Sequence, residues 1–245
     1  MDPSTLIGAV GCVTLIVLGA ATGELSKVFL NWHGIIIVFG GTISALFINT
    51  PLIYIRELMS MSLSLWRRGS HEKVETLIPE ITRIAEQVQT GGLGVLRNID
   101  TKAAGGYLSS AATTALEYNN PEFVRTVLEN EVNAQVDRAN EVINVVRTAG
   151  VVAPMFGLIG TLVGIIKVLA NIADPKTSMA YMAIAITSAF YGILLANVFC
   201  IPVAGKLRLR LWEELKIKAI VIEGVIGMMK GTVPLVLERK LHSFK

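Results

Sequence analysis

The sequence predicts an all-α membrane protein with four transmembrane helices and a helical cytoplasmic domain. Three observations predict it. The chain is 52% hydrophobic with a mean hydropathy of +0.58, which argues against a soluble protein. Apolar runs at Leu6–Ala21, Gly34–Asn49, Ala149–Ala173 and Met179–Ala204 can, with their flanks, cross a hydrocarbon core about 30 Å thick, which takes about 20 helical residues. The basic residues are also segregated: ten Lys/Arg lie within 51–149 and nine within 206–245, so 19 of 22 fall on one side of the runs.

Residues 1–55 form the first expected hairpin. Its first run carries Gly8, Gly11 and Gly19, and its second carries Gly40-Gly41-Thr42 with Ser44 and Ala45. Small residues at such spacings let helices approach closely in lipid, where packing drives association. Both runs are short and borrow Thr5, Thr22 and His33. A cleaved signal fits poorly, because the start Met-Asp-Pro-Ser-Thr has no basic region and a second apolar run follows at once.

Pro51 ends the second run, and residues 56–148 read as the cytoplasmic domain. Arg56–Arg68 sets Leu58, Met61, Leu65 and Trp66 against Arg56, Arg67 and Arg68, and is expected to continue the second span past the membrane surface. From His71 to Val88 the positions Val74, Leu77, Ile78, Ile81, Ile84, Ala85 and Val88 keep helical spacing until Gly91-Gly92-Leu93-Gly94 breaks it. Tyr107–Tyr118 is a further helix, stopped by Asn119-Asn120-Pro121. Pro121 then opens a long helix capped by Asn120, with Phe123, Val127, Val132, Val136, Ala139, Ile143 and Val146 expected on its apolar side.

Residues 149–205 form the second hairpin, turned by Asp174-Pro175-Lys176-Thr177-Ser178. In 206–245, basic and apolar residues alternate from Lys206 to Lys218. Just past a span this reads as a helix at the headgroups with snorkelling basic side chains, rather than a strand. Ala219–Met229 is apolar enough to pack on the cytoplasmic helices, and Gly231 and Pro234 turn the chain into a last helix, Leu235–Leu241. The charge bias puts both termini and 51–149 in the cytoplasm, with the loop Gly23–Trp32 and the turn at Asp174 outside.

Several functions are excluded. Twelve acidic residues balance the basic ones in 51–149, against nucleic-acid binding. Cys12 and Cys200 sit in apolar runs without CxxC or Cys/His spacing and read as packing residues. His33, His71 and His242 are far apart in sequence. No Ser/His/Asp, Cys/His, metal or phosphate-loop constellation occurs, and Gly91-Gly92-Leu93-Gly94 alone is too weak to count. The chain reads as a non-enzyme without cofactor or metal.

What chemistry there is lies in the second hairpin. Neither of its runs holds an Asp or Glu, yet Thr161, Thr187 and Ser188 place hydroxyls inside them. These hydroxyls either bond the carbonyl a turn back or line an ion path. A path without an ionisable carrier needs a partner to supply one. Lys167 lies 13 residues beyond Pro154, about 20 Å up the helix and near the outer headgroups, where snorkelling suffices. Pro154 and Pro202 each free a carbonyl near the cytoplasmic end of a span. Taken as lying at matching depth, they read as a coupled hinge or as two ordinary membrane prolines. Gly157, Gly160 and Gly164 give the third span a smooth face for a close neighbour such as a partner's single helix.

These segments carry a resemblance. Ala153-Pro154-Met155-Phe156-Gly157-Leu158-Ile159-Gly160-Thr161-Leu162-Val163-Gly164, Asp174-Pro175, Tyr191-Gly192-Ile193-Leu194-Leu195-Ala196-Asn197 and Pro202-Val203-Ala204-Gly205-Lys206-Leu207 resemble the signature of the MotA/PomA family of flagellar stator subunits, distant kin of the ExbB and TolQ energisers. Gly40-Gly41-Thr42, Leu128-Glu129-Asn130-Glu131, Ile222-Glu223-Gly224 and Glu238-Arg239-Lys240-Leu241 extend it over essentially the whole chain. It implies an inner-membrane homopentamer around two copies of a MotB-like single-span partner, whose Asp binds the ion and whose conduction turns the ring. It also implies that Thr161 and Ser188, with Thr187, line the path, and that Pro154 and Pro202 couple protonation to movement. Ser188-Ala189 stands where sodium-driven members tend to have Thr-Thr. This favours protons, while Thr161, of a kind sodium members keep, leaves Na+ open. Gln89 and Arg97 stand where flagellar members present an Arg and then a Glu, and Gly231-Thr232-Val233-Pro234-Leu235 replaces Gly-Glu-Asn-Pro-Arg. A flagellar rotor is therefore a doubtful partner. The alternatives are an ExbB/TolQ-type energiser, a non-flagellar MotA-like ion transporter, or a membrane scaffold without an ion path.

Overall fold

A computed structural model describes residues 7, 8, 10, 11, 14, 17, 18, 31–66, 74–99 and 103–244. Its described elements are helical throughout: α1 (Trp32–Asn49), α2 (Leu52–Trp66), α3 (Val74–Gly91), two 3-10 turns (Leu93–Asn98 and Ala103–Gly106), α4 (Tyr107–Glu117), α5 (Pro121–Ala170), α6 (Pro175–Leu194), α7 (Ile201–Met229) and α8 (Pro234–His242). Among the described residues three stretches are long and apolar enough to cross a membrane: α1, α5 and the continuous Pro175–Met229. The first expected span, Leu6–Ala21 with Cys12, lies outside the described residues except for the seven helical positions between 7 and 18, and so do Arg67, Arg68 and His71.

The chain divides into two compact units. The first is residues 1–68 with 140–208, and the second is 69–139 with 209–245. In the first unit the expected continuation of the second span beyond Pro51 does not occur as one helix. Thr50, with φ −129° and ψ 128°, is extended because the proline ring crowds the residue before it, and a separate helix restarts at Leu52. The polar segment 174–178 is likewise less a turn than a helix start. Asp174 Oδ1 accepts from the Lys176 N–H at 3.1 Å, its other oxygen accepts from the Thr177 hydroxyl, and Pro175 fills the first helical position.

Among the described residues two wide π-turns interrupt the helices. At Ile36–Gly40 the Thr42 hydroxyl just beyond the turn donates to the Val38 carbonyl at 2.6 Å. At Leu195–Cys200 the Ile201 N–H reaches back five residues to Ala196. The wide turn makes room for Pro202, whose ring would otherwise strike the carbonyl four residues before it.

The second unit has its own apolar core. Leu77, Ile78, Ile81, Ile84, Ala85 and Val88 of α3 meet Leu108, Ala111 and Ala112 of α4, Val124 and Leu128 of α5, Ile220, Val221, Val225 and Ile226 of α7, and Leu237 and Leu241 of α8. The insert and the tail, far apart in sequence, share this core. α5 starts where expected, with Asn120 Oδ1 accepting from Glu122 N and Phe123 N at 3.0 and 3.3 Å. Ile143 and Val146 are buried and Val127, Val132, Val136 and Ala139 half-buried on its expected face, but the first turns differ. Val124 and Leu128 are fully buried, whereas Phe123 is 47% exposed and meets the Tyr118 ring at a tilt, with centroids 4.9 Å apart. A Schellman closure ends α7, with Thr232 N on Gly227 O, Gly231 N on Met228 O, and Gly231 in the left-handed region at φ +66°.

Candidate functional site

In the first unit the site is the antiparallel contact between α5 and α6, joined by the start of α1. The Gly157, Gly160 and Gly164 stripe is the reason the two spans touch. A Cβ on Gly164 would lie 2.6 Å from the Ala185 Cβ. One on Gly160 would lie 2.5 Å from the Ser188 Cβ, and one on Gly157 2.9 Å from the Ser188 carbonyl oxygen. Gly192 answers from α6, where a Cβ would lie 2.7 Å from the Ala153 carbonyl oxygen and 3.0 Å from the Pro154 Cα. The close neighbour expected for the stripe is, in this chain, its own helix α6.

All three hydroxyls converge on this contact. Thr161 Oγ1 lies 3.1 Å from the Gly157 carbonyl of its own helix and 2.9 Å from the Ala185 carbonyl of the neighbouring one, so it bridges the spans. Thr187 and Ser188 donate to the carbonyls of Ala183 at 2.8 Å and Ile184 at 2.7 Å. Thr187 is 2% exposed and Ser188 0%. In this conformation both are held inside the chain, and Thr161 alone of the three is partly open.

The two prolines do not lie at matching depth. Pro154 approaches Gly192, while Gly150 approaches Cys200 and Ile201, which puts Pro202 roughly 9 Å farther than Pro154 from the turn at Asp174. Pro154 sits inside an unbroken α-helix and is half-buried, whereas Pro202 follows the wide turn and is exposed. Cys200, a free thiol, packs against Gly150. Lys167 is exposed, with its Nζ 5.2 Å from the centre of the Tyr181 ring.

Sequence reasoning missed the contribution of α1. Asn31 caps this helix, its Oδ1 accepting from His33 N at 3.1 Å, and its own backbone N–H donates to the Tyr191 hydroxyl at 3.1 Å. Gly34 packs on the same hydroxyls: a Cβ there would lie 3.1 Å from Ser188 Oγ and 3.3 Å from Thr187 Oγ1. The cap was legible as an Asn ahead of an apolar run. The contact with Tyr191, 160 residues away, was not.

In the second unit three separated motifs meet around one carboxylate. Glu223 of α7 is held by Arg125 of α5 at 3.0 Å and by Lys240 of α8, and Arg125 also reaches Glu129 at 3.4 Å. Burial pushes the Glu223 carboxyl up, but the hydrogen bonds from Lys240 and Arg125 outweigh it and hold the group below the usual carboxylate range. Beside it, a Cβ on Gly224 would lie 2.6 Å from Ile81 Cγ2. Arg97 and Gln89 are exposed on this unit. Among the described residues no group of three or more His, Cys, Asp or Glu could hold a metal ion.

Comparison with known proteins agrees with this architecture. The family described as MotA/TolQ/ExbB proton channels matches residues 100–219. Motility protein A of Treponema phagedenis is 28% identical, with 98% of this chain and 93% of the relative covered. YtxD of Bacillus subtilis, a protein described as uncharacterized, is 31% identical over 99% of this chain and 90% of its own. Among solved structures, the flagellar MotAB stator complex of Bacillus subtilis superposes with a TM-score of 0.87 at 26% identity, covering 98% of this chain and 94% of the matched one.

Proposed function

The chain belongs to the MotA/TolQ/ExbB proton channel family, a family of channels rather than enzymes, and from that premise we propose that it is the A-type subunit of an ion-driven motor complex. It spans a bacterial inner membrane four times with both termini in the cytoplasm. Five copies surround a dimer of a single-span MotB-like partner, and inward proton flow through the complex does mechanical work. The observation that carries this reading is the second hairpin. Thr161 links two carboxylate-free spans through hydroxyl and carbonyl oxygens, so the ion-binding acid must come from a second protein. The 5:2 ratio rests on the family likeness, not on the geometry of one chain.

A load other than a flagellar rotor is favoured by Gln89 and Arg97, exposed where flagellar members carry Arg and Glu. Co-expression with a single-span partner whose periplasmic plug is deleted tests the ion path. Cytoplasmic acidification and growth arrest are expected, and a correctly assembled pair that passes no protons would favour a scaffold.

A further inference from the structure

Ser188 lies about 20 Å into its helix, 13 residues beyond Pro175, yet it is covered from two sides. Gly160 of α5 lies against one side and Gly34 of α1 against the other. Tyr191 is three to four residues beyond Thr187 and Ser188 and therefore shares their helix face. Its hydroxyl accepts from the Asn31 N–H at 3.1 Å, at the point where α1 starts. The phenol gives this backbone donor an acceptor and fixes the start of the helix. The Gly34 Cα then sits over the two hydroxyls, and its missing side chain is what allows the fit.

We infer that Tyr191 is a positioning residue. It latches the first turn of α1 over Thr187 and Ser188, and breaking the latch uncovers those hydroxyls. The inference rests on the reading that they line the ion path, for both are buried while the latch is closed. Each hydroxyl already donates to a carbonyl, which leaves its oxygen lone pairs as what an ion or a proton relay would use once α1 withdraws.

Thiol labelling tests it in the full chain assembled with its single-span partner. With Cys12→Ser and Cys200→Ala as background, Ser188→Cys is exposed to a small charged thiosulfonate in membranes, with and without Tyr191→Phe. Labelling is expected to quicken about two- to ten-fold in Tyr191→Phe, the population change that losing one hydrogen bond brings. Equal rates overturn the latch. Native Cys200, probed separately, controls for folding: it packs on Gly150 of α5, so its labelling should not change. Quickening there too means general loosening and also overturns the latch. Proton flux in Ser188→Ala separates the two readings. Normal flux with faster labelling in Tyr191→Phe keeps the latch and removes Ser188 from the path. Reduced flux with unchanged labelling does the reverse.

Discussion

At the scale of single residues, the hairpin depends on glycines whose missing side chains are replaced by a neighbouring backbone. Gly164→Ala puts a methyl 2.9 Å from the Ala185 Cα and N, atoms that cannot rotate away. It is expected to destabilise the chain by about 1–3 kcal/mol, read as a lower unfolding temperature in detergent. Gly40→Ala meets nothing within 4 Å and is expected to be neutral or stabilising by the same measurement. In the second unit, Glu223 has a depressed pKa. Its contribution is therefore complete above the unfolded value of about 4.3 and is lost as the pH falls through the lower folded value. Glu223→Gln should cost about 1–3 kcal/mol at neutral pH, because it leaves two cations facing a neutral amide. Unfolding curves of the two chains should converge as the pH drops below about 4. Curves that stay parallel throughout would show that the carboxylate charge is not what matters there.

At the scale of elements, the two prolines act on differently built helices. Pro202 follows a turn already widened to admit it, whereas Pro154 interrupts the hydrogen-bond ladder of an otherwise regular 50-residue helix beside Gly192. We therefore propose a hinge role first for Pro154, where removal of the ring would restore the bond to the Gly150 carbonyl and stiffen the span. Pro154→Leu is expected to abolish work while leaving the complex assembled. Motion or load-dependent growth, measured beside co-purification of the partner, checks this. Full function in that variant would remove the hinge.

At the scale of the whole molecule, the proposed function makes the chain half of a conduit. Reconstituted alone in liposomes it should pass no protons above the lipid background, and it should gain flux when the single-span partner is added. A pH-sensitive dye inside the vesicles reads both states. Gated permeation by the lone chain would contradict the division of labour, since the spans 149–204 hold no carboxylate between their turn and their ends.

Much of this was legible beforehand. Hydropathy located the second span and the second hairpin, Asn120-Pro121 located a helix start, and the spacing of Leu77, Ile78, Ile81, Ile84, Ala85 and Val88 identified the buried face of α3. Such features are local, because a cap, a period or a proline acts on its own few residues. What the sequence could not decide is which partner each face meets. The glycine stripe was visible, but that the fourth span of the same chain fills it required the folded hairpin. Likewise Asn31 and Tyr191, or Arg125, Glu223 and Lys240, are brought together only by packing. By itself the sequence determined the helices and their membrane character, because these follow from short-range sterics and from the cost of burying polar groups in lipid. The tertiary structure decided which hydroxyls are covered and which charges pair, because contacts between distant segments depend on register and rotation that no local pattern encodes.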